Sequence, residues 1–306
     1  MTSLAVVTTF PPNRWTAYAK RMIESHIKYW PDDVVLYAYH EGNRPEKDKA
    51  KVKFVNIEES NPELVKFKNR HKDDPVANGE TKTVPGGVRR LPGAGDKDKN
   101  KGSFLWDAVR FSHKTFAVDH AIKTIDADYI LWLDADTYTF RKITKEFVTG
   151  LLPSNKLVNF LGRGAKYPEC GWVCYNKRHP KVKEFMKYWT DLYINDTIFK
   201  ELEWHDSYVF WQCVKRIAPD DGVDIGKGAG AKGHHVFINS VLGGYVDHMK
   251  GKRKVLGKSS KSDLRGARNE DYWKNVENYD PFRGIKFDAK QADDIVSKVA
   301  KGKQGN

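Results

Sequence analysis

Apolar residues follow two rhythms along this chain. Residues 4–9, 34–40, 52–57 and 129–133 are short runs rich in β-branched, aromatic and leucine side chains, which predicts buried strands. Between the first two runs, residues 14–30 carry apolar side chains at helical spacing, and Pro31 closes that pattern. A β-α-β opening predicts a parallel sheet wound with helices, in which ligands bind at the carboxyl ends of the strands. Thr8, Thr9, Phe10, His40 and Glu41 fall at such ends. A long helix over about 103–124, carrying Arg110, His113 and Lys114, leads into the strand at 129. Beyond Phe140, strands are predicted at 157–161, 171–175, 236–238 and 244–247, with helices at 180–193 and 206–216. Residues 61–102 hold few apolar side chains among Pro, Gly and charged clusters, so they read as a long, partly mobile insertion rather than a domain.

The strand Tyr129-Ile130-Leu131-Trp132-Leu133 runs directly into Asp134-Ala135-Asp136. Residues two apart on an extended chain share a face, so both carboxylates are expected side by side where a buried strand surfaces. Such a pair suits a hard divalent cation, and a cation held there grips a diphosphate. The similar Asp126-Ala127-Asp128 precedes the strand, at the wrong edge of the sheet, and reads as turn chemistry.

Composition narrows the class. With 306 residues, 40% apolar and 30% charged, the chain is long enough for one large α/β domain. No apolar run approaches membrane-spanning length, and residues 1–3 lead straight into a strand, so a cytoplasmic protein without a membrane span is expected. Cys170, Cys174 and Cys213 are too few for a disulfide framework; a zinc site with His234 and His235 lacks the usual spacing, which leaves buried thiols. The net charge of +13 favours anionic partners, and residues 250–268 concentrate it, with Asp263 as their only acid. Gly226 to Gly233 spells GxGxxG, but no βαβ unit opens there, which points to a loop.

A second motif changes the weight of the aspartates. His248-Met249-Lys250-Gly251-Lys252-Arg253-Lys254 fits HxxGxxK just after a predicted strand. A histidine there can join two aspartates on a metal, and one imidazole among oxygens shifts preference from Mg²⁺ towards Mn²⁺. Gly251 permits close backbone approach and Lys254 can neutralise a phosphate.

With these pieces together the chain resembles GT-A-type glycosyltransferases from residue 4 to about 254, nearest in pattern to the retaining galactosyltransferase and glycogenin-like group. Its compact size and lysine-rich tail also resemble small phage-encoded enzymes of that kind. The resemblance implies an α/β, Rossmann-like GT-A fold with a mixed central sheet flanked by helices. It implies one domain over 1–268, interrupted by the 61–102 insertion, with a basic lid at 250–268 and an extension at 269–306. It implies Mn²⁺ or Mg²⁺ and a nucleotide sugar, UDP-linked in that group, with a glycan, lipid-linked or other hydroxyl acceptor. Carried over by position, Asp134, Asp136 and His248 hold the metal, and Asp134 also touches the donor ribose. Thr8, Thr9 and Phe10 cradle base and ribose, while Arg110, Lys114, Gly251 and Lys254 face the donor. Asp206, and less so Glu169, are the carboxylates placed to act on the acceptor. The motif favours retention, yet Val255-Leu256 replaces the group's Pro-Trp and Asp206-Ser207-Tyr208 its Asp-Gln-Asp. Trp172, Trp204, Tyr208 and Trp211 are candidate sugar-stacking faces. The competing readings are a basic nucleic-acid-binding protein with structural aspartates, a glycosyltransferase acting on modified DNA, and a nucleotidyltransferase.

Overall fold

The computed structural model describes residues 2–80, 83–84, 87–88, 103–164, 166–230, 235–251 and 253–274. Nine of its strands matter here: β1 (Leu4–Phe10), β2 (Val35–His40), β3 (Val52–Asn56), β4 (Tyr129–Leu133), β5 (Thr137–Thr139), β6 (Val158–Arg163), β7 (Lys166–Asn176), β8 (Gly222–Asp224) and β9 (Val246–His248). The helices that frame them are α1 (Lys20–Tyr29), α2 (Pro62–Arg70), α3 (Ala108–Thr124), α4 (Lys145–Gly150), α5 (Val182–Ile194) and α6 (Asp206–Ile217). Seven strands form one sheet in the order β8-β6-β7-β4-β1-β2-β3. The β1-β2, β2-β3, β1-β4 and β6-β8 pairs are parallel, while β7 runs antiparallel to both β4 and β6. The central sheet is therefore mixed and lies between helical layers, as the resemblance implies.

Each face of the sheet has its own apolar cluster. Val7, Ile130, Trp132 and Val173 pack with α3, α5 and α6 on one side; Val6, Leu131, Trp172 and Cys174 pack with α1 on the other. This is the alternation that strands impose when both faces are covered. The register Val7↔Trp132 brings the ends of β1 and β4 to one edge, and Phe10↔His40 brings the end of β2 there too.

Several expectations need correction. Residues 62–80 are built into the domain: α2 buries Leu64 and Phe67 completely, and Val76 and Ala77 follow them into the core. Four apolar residues at helical and turn spacing sufficed, although the segment is polar on average. Residues 81–82, 85–86 and 89–102 of the expected insertion lie outside the described residues. The strand expected at 236–238 is instead one helical turn, Val236–Asn239, all three apolar side chains buried against the sheet. The domain also continues past 268, because Trp273 is buried and its indole donates to the Gly243 carbonyl at 2.7 Å. Residues 275–306 of the expected extension lie outside the described residues, as do 231–233 of the GxGxxG pattern and His234.

Candidate active site

The carboxyl ends of β1, β2 and β4 open into a cleft of about 1110 Å³. Thr9, Phe10, Tyr18, Glu41, Lys114, Asp134, Asp136, His205, Asp206, His248 and Lys254 all line it. One wall is built around the turn that follows β4. Thr137 donates to the Asp134 carbonyl through both its amide (3.1 Å) and its hydroxyl (2.8 Å). Asp134 and Asp136 thus converge through a turn rather than through strand alternation, a correction to the premise that first paired them. After the turn, β5 pairs antiparallel with β9, and the register Thr137↔His248 sets the histidine opposite the aspartates.

The three side chains form a compact donor set. Among the described residues they are the one group of three acidic, histidine or cysteine side chains whose ligand atoms all lie within 4.8 Å of one another. His248 Nε2 is 3.1 Å from Asp136 and 3.5 Å from Asp134, while Nδ1 points back towards Glu169 at 3.4 Å. A carboxylate behind a ligating imidazole fixes its orientation and raises its basicity. Glu169 Oε2 and His248 Nδ1 are buried without a hydrogen-bond partner, so this wall carries unspent polar capacity. Two carboxylates and one imidazole fit Mn²⁺ or Mg²⁺.

Basic side chains close the wall from above. Lys254 Nζ lies 2.7 Å from Asp136, and Lys250 Nζ lies 3.1 Å from Glu169. Gly251 between them sits at φ +56°, a left-handed backbone that favours glycine. Burial alone would raise the Asp136 carboxyl, but Lys254 and His248 overturn that and hold it well below the ordinary range. Burial would lower His248, yet Asp136 and Glu169 push it up to about 10. For Asp134, burial outweighs the nearby cations and raises the carboxyl.

Lys114 joins this wall to the opposite one. It is buried, donates to the Cys170 carbonyl (2.6 Å) and Asp206 (2.8 Å), and lies 3.8 Å from Asp134. Burial opposes its charge, but Asp206 and Asp134 hold it protonated. Asp206 opens α6 and, although half-buried, is kept below the usual carboxylate range by Lys114 and His205.

Other expected residues distribute unevenly. Thr9 and Phe10 line the cleft at the end of β1, whereas Thr8 is fully buried inside that strand. Arg110 lines the cleft and is exposed. Glu169 is 3% exposed, accepts from the Gly171 amide at 2.8 Å and turns towards His248 and Lys250, so it stands behind the Asp134-Asp136-His248 cluster instead of among the groups beside Asp206. Trp172, Trp204 and Tyr208 are buried in the core, Trp211 packs on it, and none lines the cleft; their rings fill volume instead of offering stacking faces. The three cysteines are free and buried.

Sequence reasoning missed Tyr18, Gly171, Tyr167 and Glu203. Tyr18 lies on an irregular helical turn before α1, with Lys254 Nζ 5.1 Å above its ring. Gly171 admits the imidazole: a Cβ there would stand 2.4 Å from His248 Cε1. No short motif marks either one.

Comparison with known proteins returns distant structural likeness. No protein-family model matches the chain, and no curated protein does. Among solved structures, the galactosyltransferase LgtC, in complex with donor and acceptor sugar analogues, aligns at 12% identity and TM-score 0.45 over 81% of this chain and 87% of its own. Mouse xyloside xylosyltransferase 1 aligns at 12% identity and TM-score 0.39 over 73% of this chain and 84% of its own. The glycosyltransferase GlyE of Streptococcus pneumoniae aligns at 11% identity and TM-score 0.39 over 73% of this chain; the match spans 45% of the length of GlyE.

Proposed function

We propose that the protein is a divalent-metal-dependent glycosyltransferase of the GT-A type, moving a sugar from a UDP-type nucleotide diphosphate to a hydroxyl acceptor. The observation that carries this reading is the convergence of Asp134, Asp136 and His248 at the carboxyl edge of the sheet, backed by Glu169 and capped by lysines. Mn²⁺ or Mg²⁺ bound by these three residues would supply Lewis-acid stabilisation of the departing diphosphate. The remaining work falls to the chain itself. Lys254, released from Asp136, and Lys250 present charge to the phosphates. Thr9, Phe10 and Tyr18 form the wall for base and ribose, with exposed Arg110 at the rim. The Lys114–Asp206 pair, fixed between the two walls, offers a donor and an acceptor to the hydroxyls of the bound sugar.

Residues 250–257 act as the lid in this reading, and the lid is shorter than the basic stretch that suggested it. From Ser259 onward the chain is tied down: Ser259 bonds the buried Asp247 through amide (2.8 Å) and hydroxyl (2.6 Å), and Tyr272 donates to the same carboxylate at 2.8 Å. Limited proteolysis with UDP and Mn²⁺ should protect sites within 250–257 only; unchanged cleavage there removes the lid from the reading. Among the described residues no helix is long and apolar enough to cross a membrane. The acceptor is a glycan, a lipid-linked sugar or another hydroxyl compound.

The deciding experiment is hydrolysis across a panel of nucleotide sugars with Mn²⁺ and with chelator. Turnover that vanishes with chelator is expected; absence of metal-dependent turnover or thermal stabilisation with every donor overturns the proposal. The stereochemical course turns on the groups at the far end of the cleft.

A further inference from the structure

The aspartate–histidine donor set is closed on itself. Asp136 Oδ1 lies 3.1 Å from His248 Nε2, and its Oδ2 lies 2.7 Å from Lys254 Nζ. Asp134 Oδ1 accepts from the Trp132 indole at 2.7 Å, and its Oδ2 lies 3.5 Å from the same His248 nitrogen. All four carboxylate oxygens therefore already face a group of this chain, and one of those groups is a lysine ammonium. Two of the three partners stand on strands, Trp132 in β4 and His248 at the end of β9. Lys254 is different. It stands on one helical turn, Arg253–Leu256, bracketed by Gly251 at φ +56° and Gly257 at φ +74°, both left-handed. Its ammonium has a second support in the cleft, the Tyr18 ring, 5.1 Å away. The side chain is 28% exposed, so it can leave Asp136 without unpacking the core.

We propose, on the glycosyltransferase reading above, that Lys254 is the resident cation of the metal site. In the free protein it fills the place of the divalent ion, and it yields that place readily only when a nucleotide diphosphate offers it another anion. Ammonium and divalent ion compete for Asp136 Oδ2 and repel one another across it. When the ion arrives alone, Lys254 must be expelled into water. The apparent metal affinity is then reduced by the fraction of molecules whose site is open. A diphosphate changes that balance, because Lys254 exchanges one charge-assisted bond, to a carboxylate, for another, to a phosphate. Metal and nucleotide therefore raise one another's affinity through this side chain, by the same factor in either direction. Lys114 plays a different part. It lies 3.8 Å from Asp134 but is buried and fixed by Asp206 and the Cys170 carbonyl, so it stays in place whatever fills the site.

Calorimetry with Mn²⁺ alone, and then with UDP at saturating Mn²⁺, reads both positions of the side chain. Lys254→Met should bind Mn²⁺ without nucleotide roughly tenfold more tightly than wild type. The same variant should bind UDP roughly tenfold more weakly, since the phosphates lose their ammonium. Lys258→Met removes an equal charge from the same segment, where Lys258 Nζ lies 4.2 Å from the Tyr272 ring. It should match wild type within about twofold in both titrations. Lys254→Gln, whose amide donates to Asp136 without a full charge, should shift both affinities in the same directions as Lys254→Met. It serves where the methionine variant is too unstable to titrate. Mn²⁺ binding by the Lys254 variants no tighter than wild type, or an equal gain in Lys258→Met, overturns the inference and leaves the glycosyltransferase reading standing. Absence of Mn²⁺-dependent UDP binding by wild type overturns that reading, and the inference falls with it.

Discussion

The two walls of the cleft are built on different plans. On the wall around Asp136, two acids and three basic groups interlock within two short stretches of chain, 134–136 and 248–254, joined by the β5–β9 pairing and backed by Glu169. On the opposite wall, Tyr167 reaches Glu203 across 36 residues of sequence, and Lys114 reaches Asp206 across 92. Gripping a metal and a diphosphate is one task with few solutions, so local chain geometry suffices for it. The opposite wall is assembled by tertiary packing between distant segments.

If the metal wall is the common part, damage there should abolish every activity. Asp136→Asn removes the carboxylate shared by His248 and Lys254, and a loss on the order of 10²- to 10³-fold in Mn²⁺-dependent hydrolysis is expected. Asp128→Asn is the matched control, because Asp128 lies in the same sequence pattern at the opposite strand end, where it accepts from the Ser3 amide at 2.9 Å. It should cost about 1 kcal/mol of stability in urea and leave kcat alone. Equal losses of activity in the two variants would mean that the pattern carries no metal.

Gly171→Ala should come next. The added methyl lies 2.4 Å from His248 Cε1 and 2.7 Å from Nδ1, so the imidazole must leave its place facing the aspartates. Mn²⁺ affinity measured by calorimetry should fall roughly 10- to 100-fold. Gly150→Ala, with open space around the added carbon, should bind Mn²⁺ as wild type does.

Lys114→Met tests the beam between the walls. It leaves the half-buried Asp206 and Asp134 without the buried cation they share, at a cost of about 3 kcal/mol in urea unfolding. Adding Asp206→Asn removes one of the stranded charges and should recover part of that loss, without restoring activity. A purely additive double variant would show that the ion pair does not couple the walls.

The same contrast explains what the chain discloses before it is folded. The strands at 4–10, 35–40, 52–56 and 129–133 were legible because their runs are mostly apolar and β-rich, with Lys53 on the edge strand as the one exposed break. The donor set was legible because His248 stands in a motif and the aspartates end a strand. The route by which they meet was not: it depends on a three-residue strand, Thr137–Thr139, too short for any periodicity to register. Gly171 was hidden because its role is the absence of a side chain beside a residue 77 positions away. Residues 236–238 read as a strand because three apolar residues fit either rhythm, and packing against the sheet decided for the helix.

The smallest expected effect concerns acid. Glu41 follows β2 at the cleft, 3.0 Å from Lys68 and 3.2 Å from His113. Burial would raise its carboxyl, but His113 and Lys68 bring it down from 4.5 to about 2. A carboxyl lower in the folded than in the unfolded chain stabilises the fold fully above pH 4.5 and loses that contribution as pH falls towards 2. In Glu41→Gln this share of the acid dependence should vanish. Urea stability should drop between pH 6 and pH 3 by roughly 1 to 2 kcal/mol less than in wild type, the value being reduced for partial exposure. An unchanged pH slope would mean that the acid sensitivity of the cleft resides in the metal cluster alone.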